Sequence, residues 1–166
     1  MKGLMRLASA AVLPAALTVA HPGAASTLPK PSDVSLCQRP EAVLFSCWME
    51  AKVVSICGQK QGGAVYRSGH PDRIELEATD LHFNDHGFSG GGETQVYADT
   101  PTHRYIVYDK VIKTTFNDEG RYNPRETAGL VVQKGGRTVS NRECARWTDF
   151  EPSTDKLIPE GNYVPH

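Results

Sequence analysis

The sequence lacks three features that would assign it to familiar functional classes. It has no excess of one charge, since 18 Lys and Arg residues stand against 19 Asp and Glu residues. Nucleic acids and anionic membranes are bound through clustered basic side chains, so this composition gives no support for either partner. Its four cysteines, Cys37, Cys47, Cys57 and Cys144, include no pair two to four residues apart, unlike zinc sites. No apolar run beyond the N-terminal segment approaches the ~20 residues of a membrane span.

Residues 1–25 have the pattern of a secretory signal peptide. Two basic residues precede the apolar run Leu7–Ala20, which is too short for a stable bilayer anchor. Cleavage before Ser26 fits the preference for small residues, and cleavage before His21 is the rival. We therefore expect a periplasmic or secreted protein. Loss of this segment leaves 16 basic and 19 acidic residues, a net charge of −3 that slightly favours a basic partner.

The cysteines of an exported chain are expected to form disulfides. Four cysteines give two bonds and three possible pairings. Cys47 and Cys57 lie on the two arms of a predicted hairpin, where a direct bond between them is geometrically awkward. We favour Cys37–Cys57 with Cys47–Cys144, while the other pairings stay open, and we expect a purely structural role for both bonds.

The chain after the signal segment predicts one β domain. Residues 26–41, rich in Pro and Ser, form an extended lead-in, residues 42–148 form the domain, and residues 149–166 form a polar C-terminal tail. About eight short strands separated by turn residues favour an all-β fold, a disulfide-stapled antiparallel sandwich or barrel. The sequence shows no convincing amphipathic helix and no βαβ unit.

The predicted strands follow the alternation of apolar and polar residues. They are the two arms of Ala42–Gly58, then Ala64–Ser68, Arg73–Ala78, Glu93–Ala98, His103–Asp109, Val111–Phe116, Thr127–Gln133 and Arg137–Asn141. The first hairpin is expected to turn at Glu50 and Ala51. Asp80–Gly92, with its four glycines, is predicted as a loop. Arg67 alternates with apolar residues and is expected on a solvated strand face.

The stretch Asp80–Glu93 holds the densest group of polar side chains. Asp80, His82 and His86, with Glu93 as a further candidate, are residue types that bind zinc or copper, and one loop can supply several ligands. In the plainer interpretation, the two histidines are solvated or hydrogen-bond to the backbone. We expect no cofactor and keep the metal site as an alternative.

The same stretch matches the G-x-S-x-G pattern of serine hydrolases at Gly87–Gly91. In those enzymes the serine lies between a strand and a helix, whereas glycines and a predicted strand follow it here. A small hydrolase using His82, Asp85, His86 and Ser89 is therefore the enzyme alternative. We expect that the chain is not an enzyme.

The glycine-rich part of this stretch has two further interpretations. In the simpler one, it is a turn in which glycine supplies positive φ. In the other it is an exposed recognition loop, because glycine backbone can approach a partner closely and serine both donates and accepts hydrogen bonds. The residues of that candidate binding loop are Ser89, Gly90, Gly91, Gly92 and Glu93, flanked by Tyr97.

Segments covering most of the chain after the signal segment carry a family resemblance: Cys37, Leu44–Cys47, Lys52–Cys57, Tyr66–Arg67, Ile74–Leu76, Ser89–Gly92, Tyr105–Tyr108, Gly129–Val132 and Cys144. On these residues the chain resembles a family of small exported proteobacterial proteins and, more distantly, the periplasmic inhibitors of invertebrate-type lysozyme. The resemblance implies a β-sandwich that inserts a Ser/Gly/Tyr loop into the lysozyme cleft.

Two residues of this chain match that loop. In the inhibitors Ser-Gly is followed three residues later by Tyr, and Ser89 and Gly90 match the first two positions. The third residue after Gly90 is Glu93, and the nearest tyrosine is Tyr97. The resemblance thus implies a non-catalytic binding protein whose partner is a lysozyme or another protein. An envelope structural module is the remaining alternative.

Overall fold

The computed structural model describes residues 34–166. The predicted signal peptide, its cleavage sites and the first part of the lead-in lie outside these residues. The elements are β1 (Ala42–Met49), β2 (Lys52–Gly58), β3 (Ala64–His70), β4 (Arg73–Ala78), β5 (Leu81–Phe88), β6 (Gly91–Asp99), β7 (Arg104–Phe116), β8 (Tyr122–Lys134), β9 (Arg137–Glu143), β10 (Arg146–Trp147) and α1 (Thr154–Leu157).

The strands form two five-stranded antiparallel sheets. The first sheet has the order β10-β1-β2-β3-β4 and the second the order β5-β6-β7-β8-β9. Their facing sides share one core, in which Phe45, Ile56 and Tyr66 of the first sheet and Val96 and Val107 of the second are fully buried. The expected all-β fold is confirmed. The described residues hold ten strands, against the predicted number of about eight.

Both disulfides follow the favoured pairing. Cys37 is bonded to Cys57, and Cys47 is bonded to Cys144. The first bond ties the segment before β1 to β2. The second joins β1 to the residue after β9, and therefore links the two sheets. The first hairpin also turns where predicted, with Glu50 in the left-handed region at a φ of 52°.

Three local expectations are wrong. The predicted loop Asp80–Gly92 is mostly strand, since β5 and the start of β6 occupy it. The two predicted strands on either side of Lys110 are one continuous strand, β7. Arg67 is buried instead of solvated, because its guanidinium forms ion pairs with Glu41 and Glu77.

Each sheet is covered on its outer side by a segment from one end of the described chain. Residues 34–41 lie on the first sheet, where Arg67 Nη1 donates a hydrogen bond to the Leu36 carbonyl at 3.2 Å. The C-terminal strap, residues 158–166, lies on the second sheet. Its Val164 packs with Tyr97, Ile106 and other side chains in a second, smaller core.

The C-terminal strap is ordered by hydrogen bonds, although residues 149–166 were expected as a polar tail. Phe83 N–H donates to the Pro159 carbonyl and Gly161 N–H donates to the Phe83 carbonyl, both at 2.8 Å, in a parallel bridge to β5. The Gln95 side chain makes two bonds of 3.0 Å to the Val164 backbone. Within residues 34–166, no helix has the length and apolar character needed to cross a bilayer.

Candidate functional site

The candidate binding loop contains a two-residue turn at Ser89 and Gly90. Phe88 and Gly91 pair on either side of it, and Ser89 is exposed. Gly90 has a φ of +97°, a conformation that favours glycine, and a Cβ added there would meet nothing within 4 Å. The Gly90 carbonyl accepts a hydrogen bond of 2.7 Å from Lys113 N–H. The turn is therefore both exposed and fixed to β7.

The other predicted residues of this loop lie elsewhere. Gly91 and Gly92 are already part of β6, and a Cβ at Gly91 would lie 2.1 Å from the Val111 carbonyl oxygen. Glu93 and Tyr97 are buried in the same strand and point toward the C-terminal strap. Only Ser89 and Gly90 of the predicted set form the exposed turn.

Glu93 is the anchor of the C-terminal strap. Its side chain is completely buried, and its carboxylate accepts hydrogen bonds from His166 Nε2 at 2.8 Å and Gln95 Nε2 at 2.6 Å. Lys110 Nζ lies 3.1 Å from the other oxygen, and the Tyr163 hydroxyl lies 3.5 Å from it. Burial alone would raise the pKa of Glu93, but the bonds from His166, Gln95 and Lys110 outweigh it and lower the pKa to about 2. Glu93 therefore holds structure together and is not accessible to a ligand.

The predicted metal candidates are separated into two places. His82 Nε2 lies 3.3 Å from Asp80 Oδ1, and Asp99 has a carboxylate oxygen within 4.8 Å of both. His86 does not join them, because its ring stacks on Tyr163 at 4.3 Å. The sequence interpretation missed Asp99; the antiparallel pairing of β5 with β6 would have placed it opposite Asp80.

The side chains of Asp80, His82 and Asp99 are poorly suited to hold a metal ion tightly. Both carboxylate oxygens of Asp99 are bound by Arg104, at 2.7 and 2.8 Å. A cation would have to displace that ion pair or share the carboxylate with it. Asp80 is also largely solvated, with 70% of its side chain exposed. A site of this kind binds weakly because water competes for its ligands.

The predicted hydrolase residues do not assemble into a triad. Ser89 is followed by β6 instead of a helix, so the turn lacks the strand-to-helix geometry of a serine hydrolase. Within the described chain, the Ser89 hydroxyl makes no hydrogen bond, and the Asp85 carboxylate accepts one from Thr94 at 3.0 Å. The His86 ring stacks on Tyr163 of the C-terminal strap. Among the described residues, Ser89 therefore has no hydrogen-bonded base to activate it.

The candidate site is thus an exposed, fixed turn on a rigid sandwich. Such a turn can enter a cleft with little loss of conformational freedom. Family models, curated proteins and solved structures were compared with the chain, and none matches it.

Proposed function

We propose that this protein is an exported, non-catalytic binding protein that inhibits a lysozyme by placing the Ser89–Gly90 turn in the enzyme's cleft. The observation that carries the proposal is the turn itself, which is exposed at Ser89 and held at Gly90 by the bond from Lys113. Two disulfides suit an oxidising compartment such as the periplasm. The resemblance to lysozyme inhibitors supplies the enzyme class.

The chemistry of the turn suits a lysozyme cleft. Lysozymes hydrolyse glycosidic bonds with a pair of carboxyl groups, of which one is protonated and one is ionised. The Ser89 hydroxyl donates to a carboxylate and accepts from a carboxylic acid, so it is compatible with both. Gly90 has no side chain to prevent its backbone from approaching the cleft. Occupation of the cleft would exclude the substrate.

The overall charge supports encounter with such an enzyme. Without residues 1–25 the chain has 16 basic and 19 acidic residues. A net negative charge accelerates association with a basic protein, and the acceleration declines as ionic strength rises. We therefore expect inhibition to be faster at low salt.

Replacing Ser89 by alanine is expected to raise the inhibition constant at least about tenfold, because a hydrogen bond to a charged group is lost. The melting temperature should not change, since the hydroxyl makes no bond within the described chain. The measurement is a turbidity assay with lysozymes of the invertebrate, chicken and goose types, using the oxidised protein without residues 1–25.

The matched control for this variant is Thr102→Ala, in the exposed turn between β6 and β7 at the other end of the second sheet. The Thr102 hydroxyl bonds His103 Nδ1 at 2.8 Å at the exposed surface, so the variant should leave the inhibition constant unchanged and the melting temperature nearly so. Wild-type protein that inhibits none of the three enzymes would refute the lysozyme proposal. Full inhibition by Ser89→Ala would refute the role of the turn but not the lysozyme proposal itself.

A further inference from the structure

The second sheet extends beyond the first at the end that carries the Ser89–Gly90 turn. Strands β7 and β8 have 13 residues each, whereas the strands of the first sheet have eight or fewer. Val111 and Glu126 pair with each other. They point to the same face as Val107 and Ala128 of the core, because strand side chains alternate. Val111 is 40% exposed, so the described residues leave this part of the face partly uncovered.

Two aromatic residues continue this face outward. Tyr122 lies on the same face of β8 as Glu126, and Phe116 pairs with Tyr122 across the hairpin. Their rings stack with centroids 4.1 Å apart, yet Phe116 is 61% and Tyr122 is 48% exposed. Lys113 follows Val111 on the same face, and its Nζ lies over the Tyr122 ring, 5.5 Å from the centroid. We call this surface the open ledge, and its residues are Gly87, Gly92, Val111, Lys113, Phe116, Tyr122 and Glu126.

The inner end of the open ledge is acidic. Glu126 and Asp149 line one shallow depression there, together with Trp147 and Arg146. The Arg146 guanidinium lies over the Trp48 ring, 5.1 Å from its centroid. A neighbouring depression is lined by three further carboxylates, from residues 85, 151 and 155. Acidic side chains therefore border an apolar surface.

The carboxylates of Asp109, Glu126 and Asp149 lie close enough to repel one another. Burial, followed by the charges of Asp149 and Glu126, raises the pKa of Asp109 to about 6. A cation placed among the three would relieve this repulsion.

We propose that the open ledge is a docking surface for a protein segment that carries a Lys or Arg side chain beside apolar residues. The cationic group would lie against Glu126 and Asp149. The apolar residues would cover Val111 and the Phe116–Tyr122 pair, which are 40% to 61% exposed.

Two features favour an extended peptide segment as the occupant. Gly87 and Gly92, paired beside Val111, place no side chain on the open ledge and leave room for a partner's backbone. The open ledge also adjoins the Ser89–Gly90 turn, through the bond between Lys113 N–H and the Gly90 carbonyl. A partner of the turn could therefore contact both surfaces. The inference holds whether or not that partner is a lysozyme.

The test is an NMR titration of the ¹⁵N-labelled, oxidised protein with the peptide acetyl-Leu-Lys-Leu-Arg-Leu-amide. We expect saturable shifts centred on Gly87, Gly92, Val111 and Glu126 at up to ~1 mM peptide. The same peptide with Glu in place of Lys and Arg should not bind. Ser89→Ala should leave peptide binding unchanged, which separates this inference from the proposed lysozyme inhibition.

Charge reversal supplies the matched variants. Glu126→Lys is expected to weaken peptide binding at least about tenfold, because it places a cation where the ligand's cation would lie. Asp72→Lys, in the exposed turn between β3 and β4, changes the net charge equally and should have less than about a twofold effect. Equal weakening by both variants, shifts centred elsewhere, or no binding at ~1 mM would overturn the proposal.

Discussion

Replacing Cys47 and Cys144 together by alanine is expected to lower the free energy of unfolding by about 4.7 kcal/mol in the chain-entropy description. The two cysteines are 97 residues apart in sequence, so the bond removes much freedom from the unfolded chain. It also joins β1 of the first sheet to the end of β9 in the second. Losing it therefore removes a cross-link between the sheets and leaves the main chain as their covalent connection.

The measurement is urea unfolding followed by tryptophan fluorescence, since Trp147 pairs with Cys47. The matched control is the double alanine variant at Cys37 and Cys57, whose separation is 20 residues. Its expected loss is about 3.3 kcal/mol, because closing a shorter loop costs the unfolded chain less entropy. A larger loss from the shorter loop would contradict this account.

Replacing Glu93 by glutamine is expected to cost about 3 kcal/mol of stability at pH 7. The folded pKa of about 2 lies below the ordinary value of 4.5 for a glutamate side chain. The ionised carboxylate therefore stabilises the fold fully above pH 4.5, and this contribution is lost as the pH falls toward 2. The difference between wild type and variant should shrink over the same interval.

Two measurements check this prediction. Urea unfolding at several pH values should show the two stabilities converging as the pH falls from 5 toward 2. Hydrogen exchange at pH 7 should be faster at Gly161 and Val164 in the variant, because the C-terminal strap has lost its anchor. A variant with a fully protected strap would show that Glu93 is not that anchor.

The control for Glu93 is another carboxylate with basic partners. Glu75 contacts Lys52 at 2.7 Å, Arg73 at 3.1 Å and His70 at 3.5 Å, but these groups are partly or largely exposed to solvent. Solvent screens such pairs, so Glu75→Gln should have a much smaller effect on stability. An equal effect of the two substitutions would mean that burial does not strengthen the Glu93 contacts.

The sequence predicts the first hairpin well because its signals are local. Apolar and β-branched residues fill Ala42–Gly58, and both arms lie in the core with a turn at Glu50. Strand β5 was missed because its polar residues are satisfied by distant parts of the chain. Asn84 Nδ2, for example, donates to the Gly161 carbonyl at 2.8 Å, across 77 residues. Local periodicity carries no information about such a partner.

The candidate site also contains residues that the sequence could predict and residues that it could not. Ser89 and Gly90 could be predicted as a turn, because serine and glycine specify one through short-range geometry. The burial of Glu93 could not be predicted, because an acidic residue in an alternating strand is normally solvated. Its ligands come from β7 and from the C-terminal strap, with His166 lying 73 positions away. Only the folded arrangement brings them together.

The C-terminal strap also covers part of a sheet edge. Strands at the edge of a sheet expose unpaired backbone groups that can bind a second copy. The strap bonds both backbone groups of Phe83 at that edge of β5, and backbone bonds from Ala145, Thr148 and Glu151 occupy the edge of β1. The remaining edge strands bear alternating charges, among them Glu75 on β4 and Arg142 on β9. Loosening the strap would therefore expose β5 as a template for strand addition between molecules.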